Sequence, residues 1–172
     1  TEAMVWLMRI WNSYENNQSG AFQISEYLFE TYPDNPYFHR YYARVLYSMR
    51  HFVKAEPVCL KILEKIDSGQ VGYEATSGRY AAFFLGQIYE AKSSLDEAKK
   101  YYELCVKYAE EIEATDSGYY LYSLISLGEI AEQQGRKADA KKYFTEVKKK
   151  SGRKDEAHKE AKSRLKKLEK GE

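Results

Sequence analysis

The residue types from which a catalytic or metal site would be built are few and widely separated. His39, His51 and His158 are the three histidines, and none stands in a spacing that would place two ligands on one helix face or beside a nucleophile. Cys59 and Cys105 have no CxxC partner and no neighbouring His, so neither a zinc site nor a redox pair is expected. Both fall where the inner face of a helix wants a small apolar residue, which predicts buried free thiols. Adjacent acids such as Glu110 and Glu111 read as exposed helix charges rather than a positioned acid–base pair. Glycines are scattered singly, so no phosphate-binding loop is present. No catalytic, cofactor-binding or metal-ligating residue is expected, and the chain is read as a non-enzyme without cofactors. What it has in quantity is contact chemistry: 17 tyrosines, each a broad apolar ring with a polar tip.

The elements that carry those tyrosines are helices. The 172 residues include only three prolines, and Ala, Lys, Glu, Leu and Tyr dominate, all compatible with helix. A net charge of +1 exerts no overall pull on nucleic acid or anionic lipid. No apolar run approaches the roughly 18 residues of a membrane span, which predicts a soluble chain. Ala21, Ala55, Ala98 and Ala140 recur at intervals of 34, 43 and 42 residues, each opening a similar helix-forming run. Repeats of this length are stacked helix–turn–helix units. The clearest has a first helix through Leu85, Gly86 and Tyr89, a turn at Ser93–Asp96, and a second helix through Ala98, Tyr102 and Cys105. Gly86 and Ala98 are small because the paired helices cross there, while Leu85, Tyr89 and Tyr102 fill the space around the crossing. The next unit repeats the pattern with Leu127, Gly128, Ala131, a turn at Gly135, then Ala140, Phe144 and Val147.

An earlier unit offers Ala43, Leu46, Phe52, Ala55 and Ile62, with Pro57 acceptable only near the first turn of a helix that starts near Phe52. The first unit ends its second helix, through Ala21 and Leu28, at Tyr32-Pro33-Asp34-Asn35-Pro36, and its first helix, about Ala3–Asn12, carries Arg9 where a small residue is expected. In type and spacing these positions resemble the tetratricopeptide repeat family over about residues 2–149. The resemblance implies an all-α, right-handed superhelical array of about four helix pairs, at about 2–35, 36–70, 73–115 and 117–150. The longer spacing departs from the family's usual repeat, with the extra residues in Ile66–Gly78 and Glu110–Gly118. Residues 152–172 form a basic helix whose Ala157, Ala161, Leu165 and Leu168 share one face, as expected of the element that caps such an array. Val5, Trp6, Leu7, Ile10 and Trp11 form an apolar N-terminal face onto which other repeats, another domain or a second copy would pack. With no initiator Met, no signal peptide and a start at Thr1 inside a helix-like stretch, the chain reads as the C-terminal part of a larger bacterial repeat protein, either cytoplasmic or periplasmic, with any targeting region missing.

In this family the first helix of each repeat lines a concave groove, and ligands lie there. Carried over repeat by repeat, the groove positions are Tyr37, Tyr80 and Tyr122, then Arg40, Phe83 and Ile125, then Arg44, Gln87 and Glu129, then Tyr47, Glu90 and Glu132. The resemblance thus implies a scaffold that binds a peptide or partner domain. The tyrosines read equally well as packing between neighbouring helices. The charges change sign, from Arg40 and Arg44 to Glu90, Glu129 and Glu132, which would orient a partner of complementary charge; as solvated charges each would be worth under about 1 kcal/mol. Family members that grip chaperone tails use Lys and Asn at set positions, here held by Arg40, Arg44, Phe83, Phe84 and Gln87, so that role is not expected. The alternatives are a structural segment or self-association module of a larger protein and, more distantly, nucleic-acid binding by the tail. From Lys148 onward the tail has eleven basic and five acidic residues, a net of +6 against −5 elsewhere. With no aromatic to stack on a base, it reads first as a solubilising cap.

Overall fold

The computed structural model describes residues 2–13 and 17–170, and within residues 8–13 only the backbone. The described residues form nine helices and no strand: α1 (Glu2–Ser13), α2 (Gln18–Thr31), α3 (Pro36–Ser48), α4 (Phe52–Asp67), α5 (Ala75–Ala91), α6 (Leu95–Glu111), α7 (Gly118–Gln133), α8 (Lys137–Lys150) and α9 (Glu156–Lys170). The chain divides into two compact units, Thr1–Phe84 and Leu85–Glu172, with the division inside α5.

In the first unit each helix packs on the next, α1 on α2, α2 on α3 and α3 on α4. Asn17 opens α2 by accepting the Gly20 N–H at 3.0 Å, and Asn35 opens α3 by accepting those of Tyr37 and Phe38 at 3.0 and 3.2 Å. Pro36, first in α3, gives up an N–H that would be unpaired there in any case. The small and apolar repeat positions Ala21, Leu28, Ala43, Leu46, Ala55, Cys59 and Ile62 are all buried. Val5 packs against Leu28 and Phe38, whereas Trp6 and Leu7 remain 55 % and 38 % exposed. The side chains of Arg9, Ile10 and Trp11 lie outside the described residues. Helix α4 does start at Phe52, and Pro57, its sixth residue, lies two residues beyond the first turn. Val53, whose carbonyl thereby loses its helical partner, is 88 % exposed, so water can take the place of the missing N–H.

In the second unit α6 packs on α7, α7 on α8, and α9 on both α7 and α8. The crossings expected at the glycines are present: a Cβ on Gly86 would stand 2.5 Å from Tyr102 Cε1, and one on Gly128 would stand 2.5 Å from Phe144 Cε1. Tyr102 and Phe144 are both fully buried, so their rings have no vacant space to turn into. Helix α9 buries Ala157, Ala161 and Leu165, with Leu168 half-buried.

Three turns, between α3 and α4, α5 and α6, and α7 and α8, share a backbone device that only one of them announces. Arg50, Ser93 and Gly135 stand at equivalent positions with φ of 56°, 59° and 74°. After each, an N–H returns to a carbonyl five residues earlier: His51 to Leu46, Ser94 to Tyr89 and Arg136 to Ala131, at 2.8–2.9 Å. Gly135 accepts this left-handed conformation without a Cβ penalty, whereas Arg50 and Ser93 do not.

Gly86→Leu or Gly128→Leu drives a side chain into a buried ring and should cost about 3 kcal/mol or more; a chemical-denaturation midpoint unchanged by either would refute the helix register. Gly135→Ala meets no atom within 4 Å, so its loss of about 1 kcal/mol should come from backbone strain alone. Ser93→Gly should be neutral or stabilising by up to about 1 kcal/mol on the same measurement.

Candidate partner-binding site

Helix α3 has two working faces. Its outward face carries Tyr37, Arg40, Tyr41 and Arg44, three and four residues apart and hence neighbours on the helix surface. Tyr80 approaches this face from α5. The Arg40 guanidinium carbon lies 5.5 Å from the Tyr37 ring centroid and 5.7 Å from that of Tyr80, flanked by both. The Tyr37 and Tyr41 rings are tilted together at 4.9 Å. Tyr37, Arg40, Tyr41, Arg44 and Tyr80 line one cavity of about 190 Å³. Ring contacts of this kind hold a guanidinium in place at roughly 0.5–2 kcal/mol each without neutralising it. Among the described residues no carboxylate pairs with Arg40 or Arg44. The cavity therefore presents two positive side chains, one of them flanked by rings, a setting suited to a planar anionic group beside an aromatic or aliphatic one.

The inward face of α3 is pinned. His39 is 2 % exposed, its ring centroid 4.6 Å from that of Phe29, and its Nδ1 lies 2.9 Å from the Tyr73 hydroxyl. Tyr73 belongs to the segment 68–74 between α4 and α5, which is tied to the α2–α3 turn by further contacts. Lys65 Nζ donates to Asp34 Oδ1 at 2.7 Å and to the Pro33 carbonyl at 3.3 Å, and Gln70 donates to Asp34 at 3.3 Å. The Lys65 and Gln70 hydrogen bonds hold the Asp34 carboxyl below its ordinary pKa. Burial, reinforced by the Lys65 charge, pushes the His39 imidazole down from 6.5 to about 4. The two prolines and the long spacer at Ile66–Gly78 thus serve one junction that fixes the helix bearing Arg40.

The other groove positions are engaged in different ways. Tyr47 stacks on Phe84 at 4.2 Å and 14°, with Phe83 edge-on at 6.4 Å. In the second unit Gln87 donates to the Tyr102 hydroxyl at 2.6 Å, and that hydroxyl donates to Glu90 at 2.5 Å. Glu129 and Glu132 both receive Arg164 of α9, the latter at 3.4 Å. Ile125 is 3 % exposed and belongs to the packing of the second unit, while Tyr122 is 40 % exposed. The structure gathers Tyr37, Arg40, Arg44 and Tyr80 around one cavity and ties four of the remaining eight positions to partners within the second unit. Tyr41 was not among the carried-over positions; its place four residues after Tyr37 on α3 was the available signal. Both thiols are buried, and burial pushes that of Cys59 well above the ordinary range. Among the described residues no group of three or more His, Cys, Asp or Glu converges as a metal site would require, and no helix is long and apolar enough to cross a membrane.

Residues 79–149 match the family model described as Tetratricopeptide repeat. This stretch runs from α5 to α8 and contains both glycine crossings. No curated protein matches the chain.

The buried imidazole makes stability depend on pH with a definite sign. Its folded pKa is below the unfolded one, so between about pH 6.5 and 4 the unfolded chain binds the proton that the folded chain refuses. Stability should fall as pH drops through that window, by about 3 kcal/mol in all at 1.36 kcal/mol per unit. Urea titrations from about pH 7 to about pH 4.5 should show that slope for the wild type and a flatter one for His39→Asn; equal slopes would mean that His39 is not held neutral.

Proposed function

We propose that this chain, which carries tetratricopeptide repeats, is a non-enzymatic protein-interaction scaffold that binds a peptide segment of its partner on the outward face of α3 and the adjoining part of α5. Tetratricopeptide repeats generally mediate protein–protein interaction or scaffolding, and the family is typically non-enzymatic. The observation that carries the finer reading is the cavity lined by Tyr37, Arg40, Tyr41, Arg44 and Tyr80, with the Arg40 guanidinium held beside two aromatic rings and no carboxylate paired with either arginine among the described residues. A peptide with an acidic side chain next to an aromatic or aliphatic one supplies the matching chemistry. The acid pairs with Arg40 and Arg44, and the neighbouring side chain covers the tyrosine rings. The contact area is small, which fits a short linear segment.

A second reading rests on α1, where Trp6 and Leu7 leave apolar surface exposed. That face would take a further copy of the chain or a neighbouring domain. Selection of a random displayed-peptide library against the full chain separates the two. Acidic–aromatic sequences should be enriched, and their affinity should fall by about tenfold or more in Arg40→Gln/Arg44→Gln with an unchanged thermal midpoint. Enriched peptides that bind the variant equally well would remove this cavity from consideration. A molar mass in light scattering that rises with concentration, and is restored to the monomer by Trp6→Ser/Leu7→Ser, would instead support self-association.

A further inference from the structure

We propose that the junction of α8 and α9 is a binding site for a small anion carrying two or more phosphate groups. This site is separate from the α3 cavity and does not depend on the peptide-binding reading. The chain leaves α8 at Ser151 in an extended conformation, and the Gly152 N–H donates to Asp155 Oδ2 at 2.7 Å before α9 begins. This turn folds Arg153 back beside Lys148 of the last α8 turn and His158, Lys159 and Lys162 of the first α9 turns. These five residues line a cavity of about 550 Å³, within the range of roughly 300–1,000 Å³ usual for small-molecule sites. The imidazole is positioned: Ser151 Oγ donates to the Val147 carbonyl at 2.6 Å and lies 3.2 Å from His158 Nδ1.

Solubilising lysines would spread over the surface or pair with acids, and neighbouring ones do so. Lys149 pairs with Glu146 at 3.8 Å, and Lys142 with Asp139 at 3.5 Å. Around the cavity Lys159 pairs with Glu156, and Asp155 is committed to the Gly152 N–H. Lys148, Arg153 and Lys162 have no carboxylate partner among the described residues. The face of α9 that packs is a different one, Ala157, Ala161 and Leu165, so the convergence of charge is not a by-product of capping. Bringing like charges together costs free energy unless an anion occupies the space between them. The guanidinium fork and the ammonium groups are phosphate ligands, and several cations around one cavity match more than one phosphate. No Phe, Tyr or Trp is among the five lining residues to stack on a base, and none of the five is apolar enough to enter a bilayer. The concave shape thus favours a small free polyanion over a nucleic-acid backbone or a membrane.

Calorimetric titration of the full chain with tripolyphosphate tests the assignment. The wild type should bind, and Arg153→Gln/Lys162→Gln should bind about tenfold more weakly or not at all. Lys166→Gln/Lys170→Gln removes the same charge from α9 away from the cavity and should stay within about twofold of the wild type. Equal losses in the two variants would show diffuse attraction and overturn the site, as would absence of binding to the wild type. Parallel titrations with duplex DNA and with vesicles containing a phosphoinositide separate the sources of phosphate. Tighter binding to either, lost in the cavity variant, would overturn the small-ligand assignment in favour of that polymer or surface.

Discussion

The close approach of two helices at a missing side chain is the constraint on which the second unit depends. Gly86 makes room for the Tyr102 ring, and Gly128 for that of Phe144, at distances that leave no space even for a methyl group. Burying Tyr102 completely then raises a second requirement, because its hydroxyl must find partners where water cannot reach. Gln87 and Glu90 supply them from the helix that carries Gly86. A packing decision at one glycine therefore commits two polar side chains that the repeat pattern would otherwise leave for a ligand. Burial and the Glu90 carboxylate together hold that phenol in its protonated form.

A similar coupling of packing to surface chemistry governs α3. Its buried side is anchored through His39 and Tyr73, and the Lys65–Asp34 contacts hold the neighbouring turn in place. The opposite side is thereby presented as a rigid row of Tyr37, Arg40, Tyr41 and Arg44. A binding surface gains from such anchoring because little ordering entropy remains to be lost when a partner arrives. The aromatic rings contribute twice, once as apolar contact area and once as neutral neighbours that hold a guanidinium without discharging it.

The charges show why position in the repeat does not by itself assign a role. Arg40 and Arg44 keep their charge unopposed among the described residues. Glu129 and Glu132 stand at positions equally open in the repeat pattern, yet Arg164 reaches them from α9. The difference lies in the added last helix, which packs against α7 as well as α8. That helix covers apolar surface with Ala157, Ala161 and Leu165, satisfies two acids with Arg164, and assembles a cationic cavity with Lys159 and Lys162. One amphipathic segment performs all three because successive side chains of a helix point in different directions.

Local periodicity made the helices, the crossings at Gly86 and Gly128, the buried thiols and the capping face readable in the chain, because each depends on residues within one or two helical turns or on a repeat that recurs. Tyr37, Arg40 and Arg44 were carried over from the resemblance to the tetratricopeptide repeat rather than read from periodicity, and Tyr41 lay outside that set. The left-handed turns at Arg50 and Ser93 were not, since neither residue advertises the conformation that Gly135 does. Nor were the pairing of His39 with Tyr73, the capture of Glu129 and Glu132 by Arg164, or the convergence of Lys148 and Arg153 on α9. Each of these joins side chains from different elements, and whether they meet is set by loop paths and helix packing. Hydrophobic patterning specifies which face of a helix turns inward, but it leaves the polar groups on the remaining faces to be matched by whatever the folded chain brings beside them.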